Sequence, residues 1–303
     1  MDADTRFRGV FALPVTPFDE KGELDEDSLY REIDFAVRAR VHGIALPLIA
    51  GEFYSLLEEE RTRIARIGVE AVHGRCPVAV SISAQCAKLA LKFAEFAEKA
   101  GADAIISMPP YMGGIGFEGV VEYFRQLSRS ISIPTIFQNP SDAFSPVLSC
   151  EEIIQLVSRV PAIQYVKDEG NPTGPRISRL VESGSRMIKG VFGGNGGRDF
   201  VAQLLRGAAG IMPACHVADV LVQVYEAFQK GEITKARQIH QDLMPLFVLD
   251  DSGLWIQISK AILVRRGVIR TATIRTLGIQ ELDPADIEEI EIALSRVQKW
   301  MTI

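Results

Sequence analysis

Clustered cysteines, long uninterrupted apolar runs and stretches of one-signed charge are all missing from this chain, and each absence closes a class of function. The formal charge of −6 arises from 33 basic and 39 acidic side chains mixed along the sequence. With no basic stripe to track phosphates and no polybasic segment to meet a lipid surface, neither nucleic acid nor membrane is an expected partner. The opening "MDADTRFRGVFALPVTPF" is charged at first and then apolar for only a few positions before its prolines, unlike a signal peptide or a spanning helix, so a cytoplasmic location is expected. Cys76, Cys86, Cys150 and Cys215 are widely spaced, and His42, His73, His216 and His240 show no ligand spacing. No metal site is therefore expected. The adjacent pair Cys215-His216 reads as small buried residues, since neighbours at a strand end point apart.

What the chain does contain is periodic. Short runs rich in Val and Ile recur as "GVFALPV", "GIALPLI", "PVAVSIS", "ADAIISMPP", "PTIFQNP", "AIQYVK", "MIKGVFGG" and "AAGIMPA". Between them lie segments with helical spacing and charged faces, such as "LYREIDFAVRARV" and "KLALKFAEFAEKAG". Continuous apolar strands alternating with amphipathic helices predict a parallel sheet covered by helices, and eight such units predict a (β/α)8 TIM barrel of the α/β class. The barrel is expected over residues 1–228. Residues 229–303 read as a helical C-terminal extension packed on it, punctuated by Gly231, Gly267 and Pro284.

In such a barrel the chemistry sits where strands end, and that rule singles out Lys167 in "PAIQYVKDEG". Lys88, Lys92 and Lys99 fall on one helix face, and Lys189 lies at the wrong end of the seventh strand. A lysine amine kept short of water gives up its proton more readily, and a neutral amine can attack a carbonyl carbon to form a Schiff base. The alternative is a lysine that snorkels from its strand end or pairs with Asp168 or Glu169.

"VTPF" at 15–18, "GELDEDSL" at 22–29, "AGEFYSLLEEER" at 50–61, "MPPY" at 108–111 and the strand ending in Lys167 resemble the dihydrodipicolinate synthase / N-acetylneuraminate lyase family. The resemblance covers nearly the whole chain. It implies a class I mechanism in which Lys167 condenses with pyruvate or another 2-keto acid, so that the covalent Schiff base replaces any cofactor or metal. It also implies a homotetramer or homodimer. The pocket it implies is lined by Ile49, Ala50 and Gly51 in the turn after the second strand, Ser107, Phe137 and Gln138 on the fourth and fifth strands, Gly193 in the turn after the seventh, and Met212 after the eighth.

The departures from the family pattern are equally informative. Ile49 and Ala50 stand where two threonines are usual, Phe137 is aligned with a tyrosine, Met112 replaces a tyrosine that often enters a neighbouring subunit, and Asp142 falls where a basic residue is expected. The usual hydroxyl relay is thus gone, because Ile, Phe and Met cannot pass a proton. Backbone amides of "LIAGE" can still hold a carboxylate. The remaining candidates to move protons are Ser81, Ser83, Gln85, Ser107, Gln138, Asn139, Glu169 or a bound water. The pattern resembles the branch that dehydrates or cleaves 2-keto-3-deoxy sugar acids. Two other readings stay open: a 2-keto-acid-binding pseudoenzyme, and a phosphate-handling barrel that uses the glycine-rich "FGGNGGRD" with Lys167 structural.

Overall fold

In a computed structural model of the protein, residues 6–111, 114–141, 145–184, 186–278 and 280–303 are described; Met112 and Asp142 lie outside them. Strands and helices alternate from β1 (Gly9–Ala12), α1 (Glu26–Arg38), β2 (Gly43–Leu46), α2 (Glu58–Val72), β3 (Val78–Ser81), α3 (Ala87–Ala100), β4 (Ala104–Ser107) and α4 (Phe117–Ser128) onward. The second half repeats this with β5 (Thr135–Asn139), α5 (Cys150–Arg159), β6 (Ile163–Asp168), α6 (Thr173–Gly184), β7 (Gly190–Gly193), α7 (Phe200–Leu204), β8 (Gly210–Ile211) and α8 (Ala218–Gln229). All eight strands pair in parallel and close β8 onto β1, so the expected TIM barrel is present.

The apolar strands have two buried faces because two cores need them. Inside the barrel, Phe7, Phe11, Tyr165 and Phe192 fill the space left by Ala45, Ala79 and Ala104 on β2, β3 and β4. Phe7 lies 4.9 Å from Tyr165 and Phe11 5.3 Å from Phe192, in the tilted and edge-on arrangements that aromatic pairs favour. Large rings opposite small methyls bring the interior to close packing without a pore. The alternate strand residues, among them Val10, Ile44, Val80 and Val166, face the helices in the second core.

The chain continues past the barrel as α9 (Ile233–Asp242), α10 (Met244–Leu249), α11 (Trp255–Arg265) and α12 (Pro284–Val297), the last started by Asp283, whose carboxylate accepts from the Ala285 and Asp286 amides ahead of Pro284 at the first helical position. Gly231 and Gly267 take the left-handed conformation that ends a helix (φ 76° and 70°). Between α10 and α11, Asp250–Leu254 form a wide π-type turn with Gly253 at φ 89°.

Two buried ion pairs tie this extension to the barrel. Arg266, after α11, makes a two-pronged bond to Asp219 at the start of α8 (2.9 and 2.7 Å). Lys260 of α11 reaches Glu52, beyond β2, at 2.6 Å. No helix among the described residues is long and apolar enough to cross a membrane.

Candidate active site

Strand alternation determines what each residue of β6 can do. Tyr165 packs inside the barrel, so Lys167, two residues on, faces inward as well, while Val166 and Asp168 face the helices. Asp168 is held there by Arg176 of α6 through two bonds (2.8 and 2.9 Å) and by Asn139 (2.8 Å). The neighbouring acid in sequence is therefore unavailable to the lysine. Lys167 meets instead Glu169, with Nζ 2.9 Å from Oε1. Gln138, the register partner of Lys167 on β5, donates from Nε2 to the other carboxylate oxygen at 2.8 Å. Lys167, Glu169 and Gln138 thus form a braced chain across two strand ends.

Lys167 is only 3% exposed, yet it lines a cavity of about 220 Å³ at the C-terminal end of the barrel, together with Leu48, Ile49, Ala50, Met212 and Ala214. That volume lies below the roughly 300–1,000 Å³ of drug-sized ligand pockets and suits a small metabolite. Gly194, after β7, makes room for the acid: a Cβ there would overlap the Glu169 side chain. This close approach gives the glycine-rich turn a role unrelated to phosphate. The nearest group to a side chain added at Gly196 is the Asp250 carboxylate, 3.5 Å away, which would repel a phosphate.

The expected pocket residues divide. Ile49, Ala50 and Met212 line the cavity. Gly51 lies beside it in the same turn and anchors it, its carbonyl accepting from Thr16 Oγ1 at 2.6 Å. Three expectations are corrected. Phe137 faces the helices, 5.4 Å from the Phe124 ring, and the β5 side chain turned toward the lysine is Gln138. Ser107 also faces outward, its hydroxyl 3.0 Å from that of Tyr123 on α4. The outward side of Gly193 is covered by Gln203. Among the proton-transfer candidates, Ser83 Oγ accepts from the Met108 amide, Gln85 from Tyr111, and Asn139 is bound to Asp168. The carbonyls of Ser81 and Ser83 take the buried Arg61 guanidinium. Glu169 alone of that set pairs with the lysine.

Glu52, in the turn after β2, is the centre of the contact with the extension. Its carboxylate receives Lys260, the amides of Arg275 and Thr276, and the Thr276 hydroxyl. Phe53 is buried under the Arg61 guanidinium and Tyr54 bonds Thr276; neither is among the residues lining the cavity.

The sequence reading missed the extension's share of the cavity wall: Phe247, Asp250, Asp251, Trp255 and Ser259, with His216 from the turn before α8. Burial pushes the His216 imidazole down to about 4, so it is neutral at physiological pH, and burial beside Asp251 pushes Asp250 up to about 7. Burial likewise pushes the neighbouring Cys215 thiol up, which keeps it protonated and inert.

Comparison with known proteins meets this geometry. Residues 6–290 match the family model described as the dihydrodipicolinate synthetase family. The chain belongs to that family. It is 27% identical over 294 residues to an L-2-keto-3-deoxyarabonate dehydratase of Azospirillum brasilense, covering 96% of this chain and 94% of the relative. It is 32% identical over 242 residues to a 4-hydroxy-tetrahydrodipicolinate synthase of Pseudomonas aeruginosa, covering 78% of this chain and 81% of that protein. A dihydrodipicolinate synthase structure from Rhodopseudomonas palustris superposes with a TM-score of 0.88 at 26% identity, covering 96% of this chain and 98% of the other. These relatives are lyase-type enzymes, and so is this protein.

Proposed function

We propose that the protein is a Schiff-base lyase for a 2-keto-3-deoxy acid, acting by dehydration or aldol cleavage without a metal or organic cofactor. The observation that carries this reading is the Lys167 amine, buried yet facing a metabolite-sized cavity, with the Glu169 carboxylate 2.9 Å away. Glu169 takes a proton from Nζ, and the neutral amine attacks C2 of the keto acid. Glu169 returns the proton to the carbinolamine oxygen, which leaves as water, and the protonated imine remains. That cation draws electrons from C3. In dehydration the C3 proton leaves, a C3–C4 double bond forms, and the C4 hydroxyl departs as water with a proton supplied by the acid. In aldol cleavage the C3–C4 bond breaks as the C4 hydroxyl loses its proton, and C3 is reprotonated to give pyruvate. Hydrolysis of the imine restores Lys167 in both cases.

Glu169 thereby fills the role left empty by the missing tyrosine and threonine, and Gln138 keeps its carboxylate turned to the amine. Substrate carboxylate binding falls to the turn at Ile49 and Ala50, both on the cavity wall. Their amide N–H groups have no protein acceptor among the described residues, which leaves two donors for an anion. Self-association as a homotetramer or homodimer is the part of the reading that rests on family membership, and light scattering measures it.

A panel of 2-keto-3-deoxy aldonates of five and six carbons tests the function. The expected result is water loss or pyruvate release that disappears when Lys167 is replaced. Absence of both reactions across the panel would overturn the proposal.

A further inference from the structure

The helical extension and the turn before α8 bring to the cavity polar atoms that no group among the described residues uses. Among the described residues, both ring nitrogens of His216, Oδ1 of Asp250 and Oγ of Ser259 are buried without a hydrogen-bond partner, and all three residues line the cavity that Lys167 faces. His216 and Ser259 are 3% and 1% exposed. Each such orphan is disfavoured relative to a satisfied one, so four in one wall describe a surface shaped for a partner.

The chemistry of that partner follows from the inventory. A neutral imidazole offers one donor and one acceptor, a serine hydroxyl offers both, and a carboxylate accepts. Besides Lys167, the cation on the cavity wall is Arg198, and it is already paired with Asp251. A second carboxylate on the ligand would therefore meet Asp250 and Asp251 with no free positive charge to balance it. Hydroxyl groups, which donate and accept in turn, satisfy every one of these atoms.

We infer that His216, Asp250 and Ser259 form a recognition site for the hydroxylated, uncharged tail of the substrate, so that the enzyme takes 2-keto-3-deoxy aldonates and rejects acids with a carboxylate at the far end. This rests on the Schiff-base reading, which fixes the keto carbon at Lys167 and leaves the tail to run toward the extension. The extension then sets specificity as well as stability: the turn Asp250–Leu254 brings Asp250 to the wall.

The test compares two 2-keto-3-deoxy acids of equal length, one ending in CH2OH and one in a carboxylate, by kcat/KM on the full-length protein. The wild type should favour the hydroxyl-ended acid by about 100-fold, because a site built for a hydroxyl strands its polar groups when the hydroxyl is missing. Asp250→Asn, which can donate to a carboxylate, should cut that preference by about tenfold or more. Ser259→Ala should raise KM for the hydroxyl-ended acid several-fold more than it lowers kcat. Melting temperatures identify a variant that has merely unfolded, and Ser259→Ala removes a single atom. Equal rates for both acids in the wild type, or a preference unmoved in both folded variants, would overturn the inference. Failure of borohydride to trap either acid on Lys167 of the wild type would overturn the underlying Schiff-base reading instead.

Discussion

Two lysines are buried in this protein beside a glutamate, and they do opposite things. Lys260 is fully enclosed: its amine is 2.6 Å from Glu52, 2.7 Å from the Thr273 carbonyl and 4.6 Å from the centre of the Phe18 ring. Its partner Glu52 is satisfied in turn by two backbone amides and a threonine hydroxyl. Lys167 has one acid at 2.9 Å and then open space. Burial and an ion pair are common to both and mark neither as reactive. The difference is spare coordination: Lys260 has none, so it can only hold the extension against the loop after β2, whereas Lys167 can exchange a proton with its partner and still reach a third molecule.

Replacement tests this contrast first. Lys167→Ala should abolish both turnover and imine trapping while leaving the melting temperature within a few degrees of wild type, since the cavity accommodates the change. Glu169→Gln should slow imine formation and, with it, turnover by about 10²–10⁴-fold, the usual worth of a positioned acid-base group; rapid-quench trapping follows the first and the steady-state assay the second. Lys260→Met should do the reverse, costing about 3–5 kcal/mol in urea unfolding because it strands the Glu52 charge, while whatever folds still traps pyruvate on Lys167. Gly194→Ala should push Glu169 off the amine and lower kcat by up to about 100-fold with little change in stability.

The smallest effect concerns pH. Glu32, bonded to the Val15 amide at 2.9 Å and close to Lys260, is pushed by burial up to about 8. The folded state then holds a proton that the unfolded chain releases near its ordinary value, so Glu32 favours folding below about pH 4.5 and that contribution is lost as pH rises toward 8. Glu32→Gln, which keeps an acceptor for Val15, should flatten this slope and stabilise by ~1–2 kcal/mol at pH 8, with no gain near pH 4, by thermal melts across that range.

The same contrast explains what could be read in the sequence. The eight strands were legible because parallel strands buried on both faces appear as unbroken apolar runs bounded by glycine and proline. Lys167 was legible because it interrupts such a run at its end. Phe137, Ser107 and Gly193 were misplaced for the same reason that the strands were visible: with both faces apolar, the run does not say which of two successive residues points inward. Phe137 and Gln138 were both expected in the pocket, and that only Gln138 turns inward is this one-residue ambiguity. Glu52 and Lys260 lie 208 positions apart, and no local pattern joins them. Asp250 reaches the cavity from the turn between α10 and α11, Ser259 from α11 and His216 from the turn before α8, so their sequence neighbourhoods carry no trace of a pocket. Glu169 stood in the sequence reading among seven proton-transfer candidates, and only the outward bonding of Asp168 to Arg176 explains why it is the acid that meets the amine.

The most direct measurement is borohydride reduction of the protein incubated with pyruvate, followed by peptide mapping in a mass spectrometer. One reduced pyruvate adduct per chain, on Lys167 and absent from Lys260, is the expected result. An unmodified Lys167, or an adduct on Lys260 instead, would contradict the claim that space beside the amine separates the reactive lysine from the structural one.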